Sequence, residues 1–121
     1  MTKVVYNNCF GGFGLSHEAC MLYAELKGIT VYPETRTFGN TYWLNPPETR
    51  DEEKYEVLDF SEVDRTDPIL VQVVEQLGKA ANGDYSELII KKLKEGTYYR
   101  IDEYDGNESV RTIDDYDWKK A

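Results

Sequence analysis

Three glycines at positions 11, 12 and 14, a serine at 16 and the chain's sole histidine at 17 follow closely on the apolar run Val4-Val5-Tyr6. A glycine-rich loop that leads from a strand into a helix leaves backbone amides free. The helix dipole adds partial positive charge there, so the loop attracts phosphate and other anions. Phe10, Gly11, Gly12, Phe13, Gly14 and Ser16 are therefore the first candidate ligand-binding residues. Their GGxG spacing is neither a Walker loop nor a dinucleotide fingerprint, and no GK[ST] follows to supply a lysine and a metal-binding hydroxyl. The same residues also suit a tight strand-to-helix turn with no ligand.

Arginine beside aromatic residues is the second constellation. Arg gives bidentate bonds to phosphate and stacks on a base, while Tyr offers an opposing face. Arg65, Arg100, Tyr104 and Arg111 fit this description. In an extended strand alternate residues share a face, which puts Arg100, Asp102 and Tyr104 together. The plain alternative is an exposed strand face with cross-strand charge pairs.

Catalytic sets are harder to assemble. With one histidine, Cys9 and His17 are the only conventional thiol and base, and no residue can be named to orient the base. A histidine in the first turn of a helix commonly serves as an exposed or capping residue. No spacing of Cys and His suggests zinc, and no run of spaced carboxylates with glycine suggests calcium, so neither metal nor cofactor is expected.

The elements that must hold these residues follow from pattern. Lys3 to Tyr6 reads as a strand. Ser16 is a good N-cap for a helix from His17 through Leu26, with Ala19, Leu22, Tyr23 and Leu26 forming its apolar stripe and Gly28 ending it. Residues 29–37 and 41–44 flank Gly39-Asn40 as a hairpin, Pro46-Pro47 closes it, residues 48–56 form a charged loop, and Val57 to Phe60 suggests a short strand. Asp67-Pro68 opens a second helix whose stripe is Leu70, Val73, Val74, Leu77 and Ala81, and Asn82-Gly83 stops it. Leu88 to Ile90, Thr97 to Tyr104 and Ser109 to Ile113 then form an antiparallel meander, followed by the acidic, aromatic tail Asp114 to Trp118. This order predicts an α+β fold in which two helices pack on one face of a mostly antiparallel sheet.

The chain has 121 residues, enough for one domain with one core, and no Pro, Gly or Ser tract marks a boundary. No apolar run approaches the roughly 20 residues that span a bilayer, and the N-terminus lacks the apolar stretch of a secretory signal. Two cysteines without a CxxC pair fit reduced thiols, so a cytoplasmic location is expected. The net charge of −9 opposes binding to nucleic-acid polymers or anionic lipid and leaves room for a basic partner or a small ligand in a local pocket. Tyr42, Trp43, Tyr116 and Trp118 suggest aromatic surface for self-association into a homo-oligomer.

CFGGFGLSHEA at 9–19, RTDPILVQVVEQLGKAANG at 65–83 and YRIDEYDGNESV at 99–110 together resemble a family of small proteins encoded by tailed bacteriophages. The size and layout are similar to phage anti-defence proteins that sequester nucleotide immune signals, notably the Thoeris anti-defence proteins. That resemblance implies a homo-oligomer that binds cyclic ADP-ribose derivatives or cyclic oligonucleotides whole, holding phosphates with Arg and backbone amides and stacking bases on aromatics. The expected function is thus sequestration of a small anionic nucleotide without cleavage. The alternative is an acidic protein that inhibits a host protein by direct binding.

Overall fold

A computed structural model of the chain describes residues 1–36, 39–50 and 56–113. It contains β1 (Thr2–Asn7), α1 (His17–Lys27), β2 (Tyr32–Arg36), β3 (Gly39–Trp43), α2 (Pro68–Leu77), β4 (Leu88–Leu93), β5 (Tyr99–Tyr104) and β6 (Asn107–Thr112). Short 3-10 turns occupy Pro47–Thr49, Phe60–Glu62 and Gly78–Ala81. The fold is α+β with antiparallel strands, as the order of elements predicts. The strands do not form one sheet: they lie in three two-stranded ladders, β1–β4, β2–β3 and β5–β6.

Both faces of β1 are apolar, and this decides the layering. Val5 packs with Ala19 and Tyr23 of α1 and with Leu70, Val73 and Val74 of α2, while Val4 packs on the opposite side with Leu93, Val110 and Ile101. The β1–β4 ribbon is therefore covered by helices on one face and by the β5–β6 hairpin on the other. The expected meander is corrected accordingly. Leu88 to Leu93 pairs with β1, from Thr2↔Leu93 to Asn7↔Leu88, and not with β5. The turn closed by Thr97 N–H on the Lys94 carbonyl at 3.1 Å reverses the chain, which then crosses to the next layer.

The helix ends follow local chemistry. Ser16 caps α1 by accepting from Ala19 N–H, and Gly28 ends it in the left-handed conformation at φ 73°. Asp67 caps α2 by accepting from Ile69 N–H, with Pro68 in the first turn. That helix stops at Gly78, earlier than Asn82-Gly83, and tightens into the 3-10 turn that buries Ala81. The expected strand at 57–60 is reduced to a bridge between Val57 and Trp43 followed by a 3-10 turn, although Leu58 N–H still reaches the Tyr42 carbonyl at 2.9 Å. No described helix is long and apolar enough to cross a membrane. Tyr42 is only 7% exposed, so it offers no interface surface. Residues 51–55 and the tail with Tyr116 and Trp118 lie outside the described residues.

Candidate functional site

The loop from Cys9 to Leu15 is shaped by what it touches. A Cβ placed on Gly11 would lie 2.0 Å from the Tyr85 carbonyl oxygen, so that position admits only hydrogen. Gly12 adopts φ 91°, the left-handed region that glycine reaches without steric cost. Gly14 is crossed by the chain after α2: its carbonyl accepts from Gly83 N–H at 3.2 Å and from the Ser86 hydroxyl at 2.7 Å. Ser16 is spent on structure, with its amide donating to the Ala81 carbonyl and its hydroxyl to the Ala80 carbonyl. The amides of Phe13 and Gly14, by contrast, donate to no partner among the described residues.

This loop forms one wall of an open cleft of about 1000 Å³, at the upper end of ligand-site volumes. The first turn of α1 supplies His17 and Cys20, the β2–β3 hairpin supplies Arg36, Asn40 and Tyr42, and Phe60 and Tyr85 complete the aromatic lining. His17 Nδ1 and the Tyr42 hydroxyl are hydrogen-bonded at 2.9 Å, and their rings stack at 5.8 Å with 19° between planes. Tyr42 meets Phe60 edge-on at 5.3 Å. Asn40 Nδ2 lies 3.3 Å from His17 Nδ1. Arg36 is the only Arg or Lys among the described lining residues. It donates through Nε to Thr41 at 2.5 Å and pairs with Glu34 at 2.8 Å. Asp59 and Asp84 stand at the same cleft.

Two protic groups in the wall, the Cys20 thiol and the Tyr42 phenol, are held neutral. Burial pushes the Cys20 thiol up to about 11, against a smaller opposing effect of its hydrogen bond with Tyr42. Burial likewise pushes the Tyr42 phenol up to about 12, with the Asn40 hydrogen bond opposing it. Neither offers an ionised nucleophile near neutral pH. Cys9 does not share the cleft: it lines a separate hollow with Lys79, Asn82 and Glu87. The thiol on the histidine's side is Cys20, one helical turn away on the same face. Among the described residues no group of three His, Cys, Asp or Glu side chains is placed to hold a metal ion.

The predicted residues are thus divided among four places. Gly11, Gly12, Phe13, Gly14 and Ser16 line the cleft, whereas Phe10 is 62% exposed outside it. Arg65 does not line the cleft. Its guanidinium lies 3.5 Å from the centre of the Phe13 ring and makes a two-pronged ion pair with Glu108. Arg100 and Arg111 face each other across β5–β6 and share Asp102, at 2.9 and 3.9 Å, while Tyr104 is 78% exposed at the end of that hairpin. Arg36, Asn40 and Tyr42 cannot be picked out as site residues from sequence, because only the pairing of β2 with β3 and its docking on α1 bring them to the loop. No family profile, curated protein or solved structure matches this chain.

Proposed function

We propose that the protein binds a small anionic nucleotide in the cleft between the glycine loop and the β2–β3 hairpin, and holds it without cleaving it. The observation that carries this reading is the meeting, in one cleft, of unpartnered loop amides at Phe13 and Gly14 with the stacked His17–Tyr42 pair. The amides and Arg36 suit phosphate oxygens, and the aromatic wall suits a base. One arginine set against Asp59 and Asp84 favours a ligand with few charges. A cyclic oligonucleotide or a cyclic ADP-ribose type of molecule meets that requirement better than a triphosphate. The neutral Cys20 and Tyr42 support retention over turnover. In the phage setting that the resemblance suggests, such binding would withdraw an immune signal.

Calorimetry against cyclic dinucleotides, cyclic trinucleotides and cyclic ADP-ribose isomers tests the proposal, with the ligand recovered afterwards by denaturation and mass spectrometry. The expected result is binding of at least one member, recovered intact. Arg36→Ala or His17→Ala should then weaken it about tenfold to a hundredfold, the loss of a charge-assisted bond or a stacking face. Binding of none of the panel, or recovery of a hydrolysed product, overturns it.

A further inference from the structure

At the rim of the cleft, on the side where Asp84 and Tyr85 line it, three loops are locked together at one corner. The side chain of Asn7, fully buried, donates through Nδ2 to the carbonyls of Cys9 at 2.7 Å and Gly106 at 2.8 Å, and accepts from Glu87 N–H at 2.8 Å. Asn8 N–H reaches the Glu87 carbonyl at 2.8 Å. The approach is close enough that a Cβ on Gly106 would stand 2.7 Å from the Phe10 carbonyl oxygen, and one on Gly11 would meet Tyr85. Each loop nevertheless leaves a large aromatic side chain in water: Phe10 is 62% exposed, Tyr85 75% and Tyr104 78%. A single exposed aromatic needs no explanation, but three carried by mutually fixed backbones form the kind of anchor found at protein interfaces.

Charge selects the occupant. The same loops bring Asp84, Glu87, Glu103 and Asp105 to this corner; residues 8–14, 83–87 and 103–108 carry no Lys or Arg, and of the cations beside them Arg65 is paired with Glu108 and Lys79 shares a hollow with Glu87. None of the four is in an ion pair among the described residues. A second copy of the chain, a nucleic acid or an anionic membrane would each place negative charge against negative charge. A guanidinium does the reverse: its plane stacks on Tyr and Phe faces while its edge pairs with carboxylates. We propose that this corner docks an arginine-rich segment of another protein.

Fluorescence anisotropy with a short labelled peptide of alternating Arg and Gly, against its Lys and Gly counterpart, tests this at physiological ionic strength. The Arg peptide should bind about tenfold more tightly than the Lys peptide, since only guanidinium stacks as well as pairs. The double variant Phe10→Ser with Tyr104→Ser should lose about tenfold or more, and Asp84→Asn with Glu87→Gln should weaken binding and flatten its salt dependence. Glu18→Gln with Glu25→Gln, the same charge change on α1, should alter affinity by less than about twofold. His17→Ala should leave peptide binding unchanged, which separates this surface from the stacked His17–Tyr42 pair at the other side of the cleft. Absence of Arg-peptide binding overturns the proposal. So does equal binding of Arg and Lys peptides with an unaffected aromatic variant, which would mean diffuse charge attraction. Light scattering that shows a dimer dissociated by the aromatic variant would assign the corner to a second copy instead. Melting curves establish that each variant is folded.

Discussion

Arg65 and Glu108, separated by 43 residues in sequence, form a two-pronged ion pair at 2.6 and 2.9 Å that joins the entrance of α2 to the start of β6. Glu108 Oε1 also accepts from Asn7 N–H at 2.8 Å, and the Arg65 carbonyl accepts from Val5 N–H at 2.9 Å, so both ends of the pair are tied to β1. The side chains retain 18% and 10% exposure, too little for water to replace a lost partner. Removing one partner of such a pair strands the other charge. Arg65→Ala or Glu108→Ala should therefore cost about 3–5 kcal/mol in urea unfolding. Because Arg65 does not line the cleft, its variant, held at a temperature where it stays folded, should keep ligand affinity within about twofold of the parent. A large affinity loss without a stability loss would return Arg65 to the binding site.

Gly11 and Gly12 test the loop in different ways. At Gly11 the obstacle is the Tyr85 backbone, 2.0 Å from where a Cβ would sit, whereas at Gly12 there is open space and only the φ of 91° resists a side chain. Gly12→Ala should thus cost about 1–2 kcal/mol through backbone strain alone. Gly11→Ala should cost more, because backbone on the other side of the contact must move. Thermal melts of the pair decide it, and equal losses would show that Tyr85 yields easily.

What sequence makes legible here is local. Ser16, Gly28, Asp67 and Pro68 announce helix ends through chemistry within one turn, and all four act in the structure as their residue types predict. The partner of Leu88 to Leu93 is not legible, since an apolar strand after a turn is equally suited to its neighbour or to β1. Arg65 shows the limit most clearly. Its type suggests a phosphate ligand, but Glu108 reaches it only after the third layer folds over β1. The cleft requires the same long-range information, because Tyr42 meets His17 across 25 residues of sequence.

The cysteines should separate chemically. Cys20 is 4% exposed and its thiol is pushed up to about 11, while Cys9 is partly exposed. At pH 8 a disulfide-exchange reagent should modify about one thiol per chain quickly and the second only on denaturation, since thiolate fraction and access both disfavour Cys20. Mass mapping should place the fast label on Cys9. If ligand in the cleft slows modification of Cys20 further, without affecting Cys9, that adds a second readout for binding there.

Asp67 should contribute to the acid limb of stability. Its Oδ1 caps α2 by accepting from Ile69 N–H at 2.8 Å, and its Oδ2 accepts from the Tyr23 hydroxyl at 2.7 Å and pairs with Lys27 at 2.9 Å. Burial acts to raise its carboxyl, but the bonds from Lys27, Tyr23 and the Ile69 amide outweigh burial and hold it below its ordinary 3.8. A carboxyl depressed on folding contributes stability that is fully present above its unfolded value and disappears as pH falls through the folded one. The contribution should accordingly be intact at neutral pH and decline below about pH 4. Asp67→Asn keeps a capping oxygen and loses the charge, so at pH 7 it should cost about 1–3 kcal/mol, with the gap from the parent closing as pH is lowered. Asp64→Asn, at an exposed carboxylate bonded to Thr66, should leave a larger share of the acid limb in place. Urea midpoints measured from pH 7 to pH 3 give the two curves, and a constant gap for Asp67→Asn across that range would show that its ionisation is not what stabilises the fold.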